Sequence, residues 1–457
     1  MWQKLTRLPL KATGSDGIPA IIYKRSALIL ADPIFHLISE SIRQRKFPTS
    51  WKIADVVPVP KSGSNSHNAF RPISLLPVPA KMAEWFIVKD LRTDLSRLLG
   101  ESQFGIRKNS STTDAIIAAH DALTRHADDP KFGASILIEF DFSKAYDKVL
   151  HQHLLNLIVT MDLPSGFSAL IEDYLHQRQQ RVRLGGYKSK LRDVSSGVPQ
   201  GSILGPYLFG LFVSTLQPRY HSTLMLKYVD DVCLVAGIRK ESPYEDIDMI
   251  NDEVSEISRW AKANGLVLND DKTTGLIHYR GSFKSSVCIE SLVPSVSFKS
   301  CVRLLGVFID DSLGWKSHVK YIQKKCAQRM YILRRIRSVV NDADFLMIYC
   351  CLVRSLIEYE CPAFIGLSAE DAKILQRIQN RCLKIKGSLK LDDLNVRRQM
   401  IASKLFLRLP VLETVLRQMA PSSLPSGRFS IPFCSTVLRR KSFIPTMSIF
   451  MSCTHCD

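Results

Sequence analysis

No apolar run in this 457-residue chain is long enough to cross a bilayer. The nearest, Ile203 to Leu216, is short and interrupted by glycine. Met1 to Leu10 carries basic residues but no sustained apolar stretch, so neither a secretory leader nor a membrane partner is expected. The 11 cysteines follow no framework of spacings, which points to reduced thiols inside the cell, in nucleus and/or cytoplasm. Cys453, His455 and Cys456 cluster at the end without a convincing fourth ligand, so no zinc site is expected there. No internal repeat is visible. Acid is scarce: 43 acidic residues face 62 basic ones, for a net charge of +19. That implies a polyanionic partner, without choosing nucleic acid over an acidic membrane. Between Lys316 and Arg337 there are eight Lys or Arg residues and no acid, with Trp315, Val319, Ile322, Met330, Ile332 and Leu333 interspersed. This reads as a basic amphipathic helix, either following a duplex backbone or presenting a solvated or membrane-surface face. Apolar content of 46% allows a real core, and the length allows several structural units.

What is present is chemically pointed. Tyr228-Val229-Asp230-Asp231-Val232 sits between the apolar runs Leu224–Leu226 and Cys233–Ala236. That pattern predicts strand, tight turn, strand, with two acids at the tip. Paired carboxylates on a rigid hairpin make a hard-oxygen site for Mg²⁺, and paired ions serve in-line phosphoryl transfer. An Asp-Asp pair alone is an ordinary turn. A third acid comes from Ser135 to Phe142, a β-like apolar run that brings Asp141 to a strand's C-terminal end. Asp141 either joins the pair or caps the helix predicted over Ser143 to Met161, where Asp147 favours the dipole. Further on, Gly197 to Pro206 reads as a Pro- and Gly-punctuated loop entering an apolar helix over Ile203 to Leu216, and Gly201 permits close backbone approach to a ligand. Asp32 to Arg45 and Ala80 to Leu99 read as helices. Gln180 to Lys190 reads as a hairpin turning at Gly185-Gly186. After Pro421, periodicity fades and Pro, Ser and Arg dominate, which predicts a loosely ordered tail.

These strings resemble a known family. Phe140 to Val149 resembles motif A of reverse transcriptases, in particular the non-LTR (LINE-type, CR1/jockey-like) retrotransposon branch. The hairpin resembles motif C, with Tyr-Val-Asp-Asp where many relatives have Phe-Ala-Asp-Asp. Gly197 to Pro206 resembles motif B, Asn264 to Thr273 motif D, and Arg303 to Asp310 motif E. Trp51 to Lys61 and Phe70 to Leu76 resemble the fingers strands. Gln103 to Arg107 with Ser110 to Asp114 resembles the segment before motif A. The motifs stand in family order from about Gly14 to about Arg381.

The resemblance implies a right-hand polymerase fold of the α/β (α+β) class. Fingers would span 1–134 with an entry segment over 1–45, an antiparallel-sheet palm 135–311, and a helical thumb-like region 312–390. A C-terminal extension would occupy 391–457, loosely ordered beyond 421. It implies an RNA-directed DNA polymerase that transfers nucleotides from dNTP to a primer 3′-hydroxyl, with an RNA template and a DNA primer as partners. Asp141, Asp230 and Asp231 would hold two Mg²⁺ ions, with Mn²⁺ as a substitute. Lys272 would protonate or neutralise the leaving pyrophosphate, or else be a solvated turn lysine. Lys61 and Arg71 would grip the triphosphate. Tyr146, five residues after Asp141, would lie beneath the sugar and exclude a 2′-hydroxyl, or else be a core aromatic. Gln200 would bond a template base or the incoming sugar beside Gly201. Arg107 would touch template, or be a surface charge. Lys320, Lys324 and Lys325 would follow the duplex. Nothing resembles the family's usual endonuclease domain, so a truncated element copy is expected. The rival readings are a catalytically dead nucleic-acid-binding remnant, a maturase-like relative and an RNA-dependent RNA polymerase.

Overall fold

The computed structural model describes residues 1–60, 70–269, 272–387, 389–424 and 428–453. Its strands are β1 (Ile53–Pro60), β2 (Phe70–Leu75), β3 (Phe132–Phe140), β4 (Gln179–Leu184), β5 (Tyr187–Lys188), β6 (Arg192–Asp193), β7 (Leu224–Tyr228), β8 (Asp231–Arg239), β9 (Thr274–Tyr279), β10 (Ser297–Phe298), β11 (Cys301–Leu304) and β12 (Val307–Asp310). The chain divides into two compact units. The first comprises Met1–Gly100, Phe142–Leu216 and Ser258–Val267; the second comprises Glu101–Asp141, Gln217–Ile257 and Leu268–Asp457.

In the first unit, β1 pairs antiparallel with β2 and parallel with β4, and β4 continues into β5 through the expected Gly185-Gly186 turn. Asp55 on β1 is fully buried. Arg181, Arg183 and Lys188 of the β4–β5 hairpin converge on it, at 2.7, 3.4 and 3.5 Å. A buried carboxylate needs such partners, so the hairpin's cationic face turns inward. The helix expected over Asp32 to Arg45 runs Ala27–Gln44. The one expected over Ala80 to Leu99 is two helices, Val78–Asp90 and Arg92–Leu98.

The helix expected over Ser143 to Met161 is also broken, into Ala145–Lys148 and His151–Thr160. The break has a visible cause. The Gly197 N–H donates to the Val149 carbonyl (2.8 Å) and the Val198 N–H to the Tyr146 carbonyl (2.9 Å), which takes those acceptors out of a continuous helix.

The second unit is built on a five-stranded sheet in the order β10-β9-β3-β8-β7. β3 is central and pairs antiparallel with both β8 and β9, so nearly all of it is buried. Thr112–Asp128 is a largely buried helix, started by a capping box between Ser111 and Asp114. Arg303 to Asp310 is a hairpin of β11 and β12 around Leu305-Gly306. The basic helix runs Lys316–Ile336 and buries Val319, Ile322, Cys326, Met330 and Leu333 along one stripe.

The stretch after Pro421 differs from the loose tail expected. Val437–Arg440 and Phe443–Cys453 are helical, with Phe443, Ile444 and Met447 buried. Asp128 accepts hydrogen bonds from the Ser435 (3.0 Å) and Thr436 backbone N–H groups, and buried Arg439 pairs with buried Asp121. These anchors lie about three hundred residues away in sequence, so no local pattern announces them.

Two histidines make this unit acid-sensitive. His126 packs on Phe132, and His318 lies against Tyr321 and Phe364. Burial pushes each imidazole down to about 4. Below an unfolded-state value of 6.5 the unfolded chain gains protons that the folded one refuses. Stability is therefore full above that value and falls as pH drops towards 4. Between pH 7 and pH 5 each histidine should remove about 2 kcal/mol. Urea unfolding at both pH values measures this; the His126→Phe/His318→Phe double variant should show a flatter dependence.

Candidate active site

β7 and β8 pair up to Tyr228 and Asp231, leaving Val229 and Asp230 as a two-residue turn. β3 and β8 pair up to Phe140 and Val232. Asp141 directly follows the last paired residue of β3, and Asp231 directly precedes its partner on β8. The Asn269 N–H donates to the Asp141 carbonyl (2.9 Å), which ties the strand end to the segment carrying Lys272. The second unit thus carries Asp141 after the end of β3, Asp230 and Asp231 at the β7–β8 turn, and Lys272 just before β9.

The electrostatics are those of crowded acids. Glu139, two residues before Asp141 on β3, has its carboxyl pushed up to about 7, first by burial and then by Asp231 and Asp141. The Lys272 ammonium donates to Asp141 Oδ2 at 3.1 Å. Both partners are substantially exposed, at 61% and 39%, so this ion pair is weak and exchangeable. Among the described residues no three His, Cys, Asp or Glu side chains already close around one point as a metal cage. The donor set nonetheless suits a hard divalent cation: all oxygen, carried by a strand end and a tight turn, with negative charge that adds to burial in raising the Glu139 carboxyl.

The first unit holds Arg71, Tyr146, Gln200 and Gly201. Tyr146 stacks on buried Phe209, with centroids 4.5 Å apart and planes 12° from parallel. The Gln200 amide donates to Asp147 Oδ1 (2.8 Å), and the Ser74 N–H donates to the Gln200 carbonyl (2.7 Å). Gly201 has φ +122, and a Cβ there would lie 2.6 Å from the Ser74 carbonyl oxygen. The close approach that requires glycine is therefore to the chain's own β2. Pro72, Ser74, Asp147, Arg178 and Gln200 line a cleft of about 350 Å³. Arg71 is exposed on β2; Lys61 lies outside the described residues.

Arg107 departs from expectation. Its side chain is 3% exposed and Nη1 donates to Glu413 at 3.2 Å, so it is neither a surface charge nor open to a template. Lys320 and Lys324 are exposed on the Lys316–Ile336 helix, and Lys325 lies 5.9 Å over the Tyr321 ring. Sequence reasoning assigned no role to Glu139 or to Glu84. Glu84 is 1% exposed and accepts from the Ile203 (2.5 Å) and Leu204 (3.3 Å) N–H groups and the Tyr174 hydroxyl (3.0 Å), which fixes the start of the helix after the motif B loop. An acid between the apolar residues Met82-Ala83 and Trp85 to Val88 was the signal available.

Residues 59–322 match the family described as "Reverse transcriptase (RNA-dependent DNA polymerase)", and the chain belongs to it. The curated relatives it resembles are mobile-element proteins. It is 28% identical to a probable RNA-directed DNA polymerase from transposon X-element of Drosophila melanogaster, over 82% of this chain and 42% of that one. It is 28% identical to the corresponding protein from transposon BS of the same species, over 86% and 46%. It is 24% identical to the RNA-directed DNA polymerase from mobile element jockey of that species, over 89% and 47%. The chain thus spans about half the length of the curated relatives it matches. Among solved structures, telomerase from Candida albicans in complex with a telomeric RNA fragment matches with a TM-score of 0.40 at 15% identity, over 79% of this chain and 66% of that one. The observed fold is mixed helix and sheet, as the sequence predicted. Among the described residues no helix is long and apolar enough to cross a membrane.

Proposed function

We propose that this chain is the polymerase portion of a non-LTR retrotransposon protein and catalyses RNA-templated DNA synthesis. The observation that carries the reading is the register of β3, β8 and β7. It ends β3 just before Asp141 and starts β8 at Asp231, with Asp230 in the adjoining turn, within a chain of the reverse transcriptase family.

Asp141, Asp230 and Asp231 would hold two Mg²⁺ ions, or Mn²⁺ in their place. Bound there, the ions supply Lewis acidity that lowers the pKa of the primer 3′-hydroxyl and neutralises charge on the departing pyrophosphate. The protein's own groups do the rest. The turn and strand end hold the carboxylates at fixed spacing, so little reorganisation accompanies phosphoryl transfer. Lys272, held beside Asp141 by an exchangeable ion pair, would be a cation available to the pyrophosphate. Arg71 and Lys61 would grip the triphosphate. Tyr146, backed by Phe209, would form a flat floor under the deoxyribose, and Gln200 with Gly201 would line the nucleotide's place.

In these terms fingers would cover 1–134, palm 135–311, thumb 312–390 and a C-terminal extension 391–457. The reaction would take place inside the cell, in nucleus and/or cytoplasm. The test is extension of oligo-dT on poly-rA by the purified chain with dTTP and Mg²⁺. Product that depends on the metal supports the reading; its absence from a folded, template-binding protein favours a dead remnant.

The exposed face of the Lys316–Ile336 helix would follow the duplex. Neutralising Lys320, Lys324 and Lys325 together should weaken binding of all primer–templates alike. Each lost phosphate contact should reduce the salt slope by roughly 1 unit. Filter binding over a salt series measures this. Unchanged affinity and slope would assign the helix a solvated role.

A further inference from the structure

A two-residue hairpin turn fits the twist of its strands when its first central residue takes a positive φ, usually as Gly, Asn or Asp. Val229 occupies that place with φ +61. A β-branched residue is strained there and stays only where its surroundings over-determine it.

The surroundings are specific. The Val229 N–H donates to Gln103 Oε1 at 2.9 Å, and the same oxygen accepts from the Gly105 N–H at 3.0 Å. Gln103 is 1% exposed. Its backbone neighbours are fastened to β7: the Phe104 N–H donates to the Lys227 carbonyl and the Lys227 N–H to the Ser102 carbonyl, both at 2.8 Å. A Cβ at Gly105 would lie 2.5 Å from Val229 Cγ2 and 2.9 Å from Val229 N, so only glycine lets this segment approach the turn. Gln103 Nε2 is buried without a hydrogen-bond partner among the described residues. A buried orphan donor is unfavourable, so what the site retains from this amide is its acceptor.

We infer that Gln103 is a positioning residue for polymerisation, holding the Val229 peptide left-handed so that the turn presents Asp230 and Asp231 in a fixed direction. The inference rests on the reading that these acids are catalytic. Without the acceptor, Val229 relaxes towards the extended region that β-branched residues prefer, and the turn re-aims Asp230.

Gln103→Met keeps the side chain's length and removes the acceptor. Primer extension should lose about 10- to 100-fold in kcat, with a similar weakening of Mn²⁺ binding read by electron paramagnetic resonance and little change in KM for dNTP. The decisive comparison repeats the substitution in a Val229→Gly chain. Glycine takes a positive φ unaided, so the loss there should shrink to about threefold or less. Equal losses in both backgrounds, or no loss in either, would overturn the inference and leave Gln103 a packing role. Asp230→Asn, run in parallel, separates the two layers. Normal extension by it removes the catalytic reading, whereas a dead Asp230→Asn beside a silent Gln103→Met removes only this inference. If Gln103→Met does not fold, Gln103→Asn carries the same comparison, since it withdraws the acceptor by one methylene.

Discussion

Replacing Asp230 with Asn is expected to stop primer extension while leaving primer–template binding close to that of the unaltered chain. The residue sits in the two-residue turn between β7 and β8, half-exposed, with no part in the core. The substitution keeps size and replaces one carboxylate oxygen with an NH2 group, removing the negative charge and a ligand oxygen that a divalent ion requires. Losing about 4 kcal/mol of transition-state stabilisation corresponds to roughly 10³-fold in rate. Asp231→Asn should be milder, because adjacent acids need not share the ions equally. Single-turnover extension and filter binding on the same preparations measure the two quantities. Near-normal extension by Asp230→Asn would remove the metal-site assignment; loss of binding in step with extension would make Asp230 a structural residue.

Tyr146→Ala is expected to admit ribonucleotides, shifting the ratio of dNTP to rNTP incorporation by about 10- to 100-fold. The structure gives this expectation a physical shape. The ring is held flat on Phe209, itself fully buried, so the tyrosine is a rigid wall rather than a mobile side chain. Truncation opens a space of about one ring where a 2′-hydroxyl would otherwise clash. Tyr146→Phe keeps the wall and should keep the discrimination. Incorporation of each nucleotide opposite one template base measures the ratio. An unchanged ratio in Tyr146→Ala would return the residue to a packing role with Phe209.

What was legible in the sequence was local. The apolar runs on either side of Asp230-Asp231 announced the hairpin, Gly185-Gly186 announced its counterpart on β4, and the spacing from Val319 to Leu333 announced the basic helix. Each depends on residues within a few positions of one another. What was missed depends on distant partners. The break in the helix after Ser143 comes from backbone hydrogen bonds to the loop at Gly197 and Val198. Arg107 is drawn inward by Glu413, 306 residues away. The C-terminal helices are ordered by Asp121 and Asp128. The candidate site followed the same division. Its acids could be named from their strings, because a turn and a strand end are local features. Glu139 as a fourth carboxylate in the cluster, and Gln103 as the acceptor for the Val229 peptide, became visible only when the register of β3, β7 and β8 was known.

The central claim is that Asp141, Asp230 and Asp231 carry out RNA-templated DNA synthesis. The most direct measurement gives the purified chain a heteropolymeric RNA template, a DNA primer, four dNTPs and Mg²⁺, and sequences the extended primer, with Asp141→Asn in parallel. The account predicts DNA complementary to the RNA, made by the unaltered chain and absent with Asp141→Asn. Complementary DNA made equally well by Asp141→Asn, or no extension by a folded chain that binds the primer–template, would contradict it.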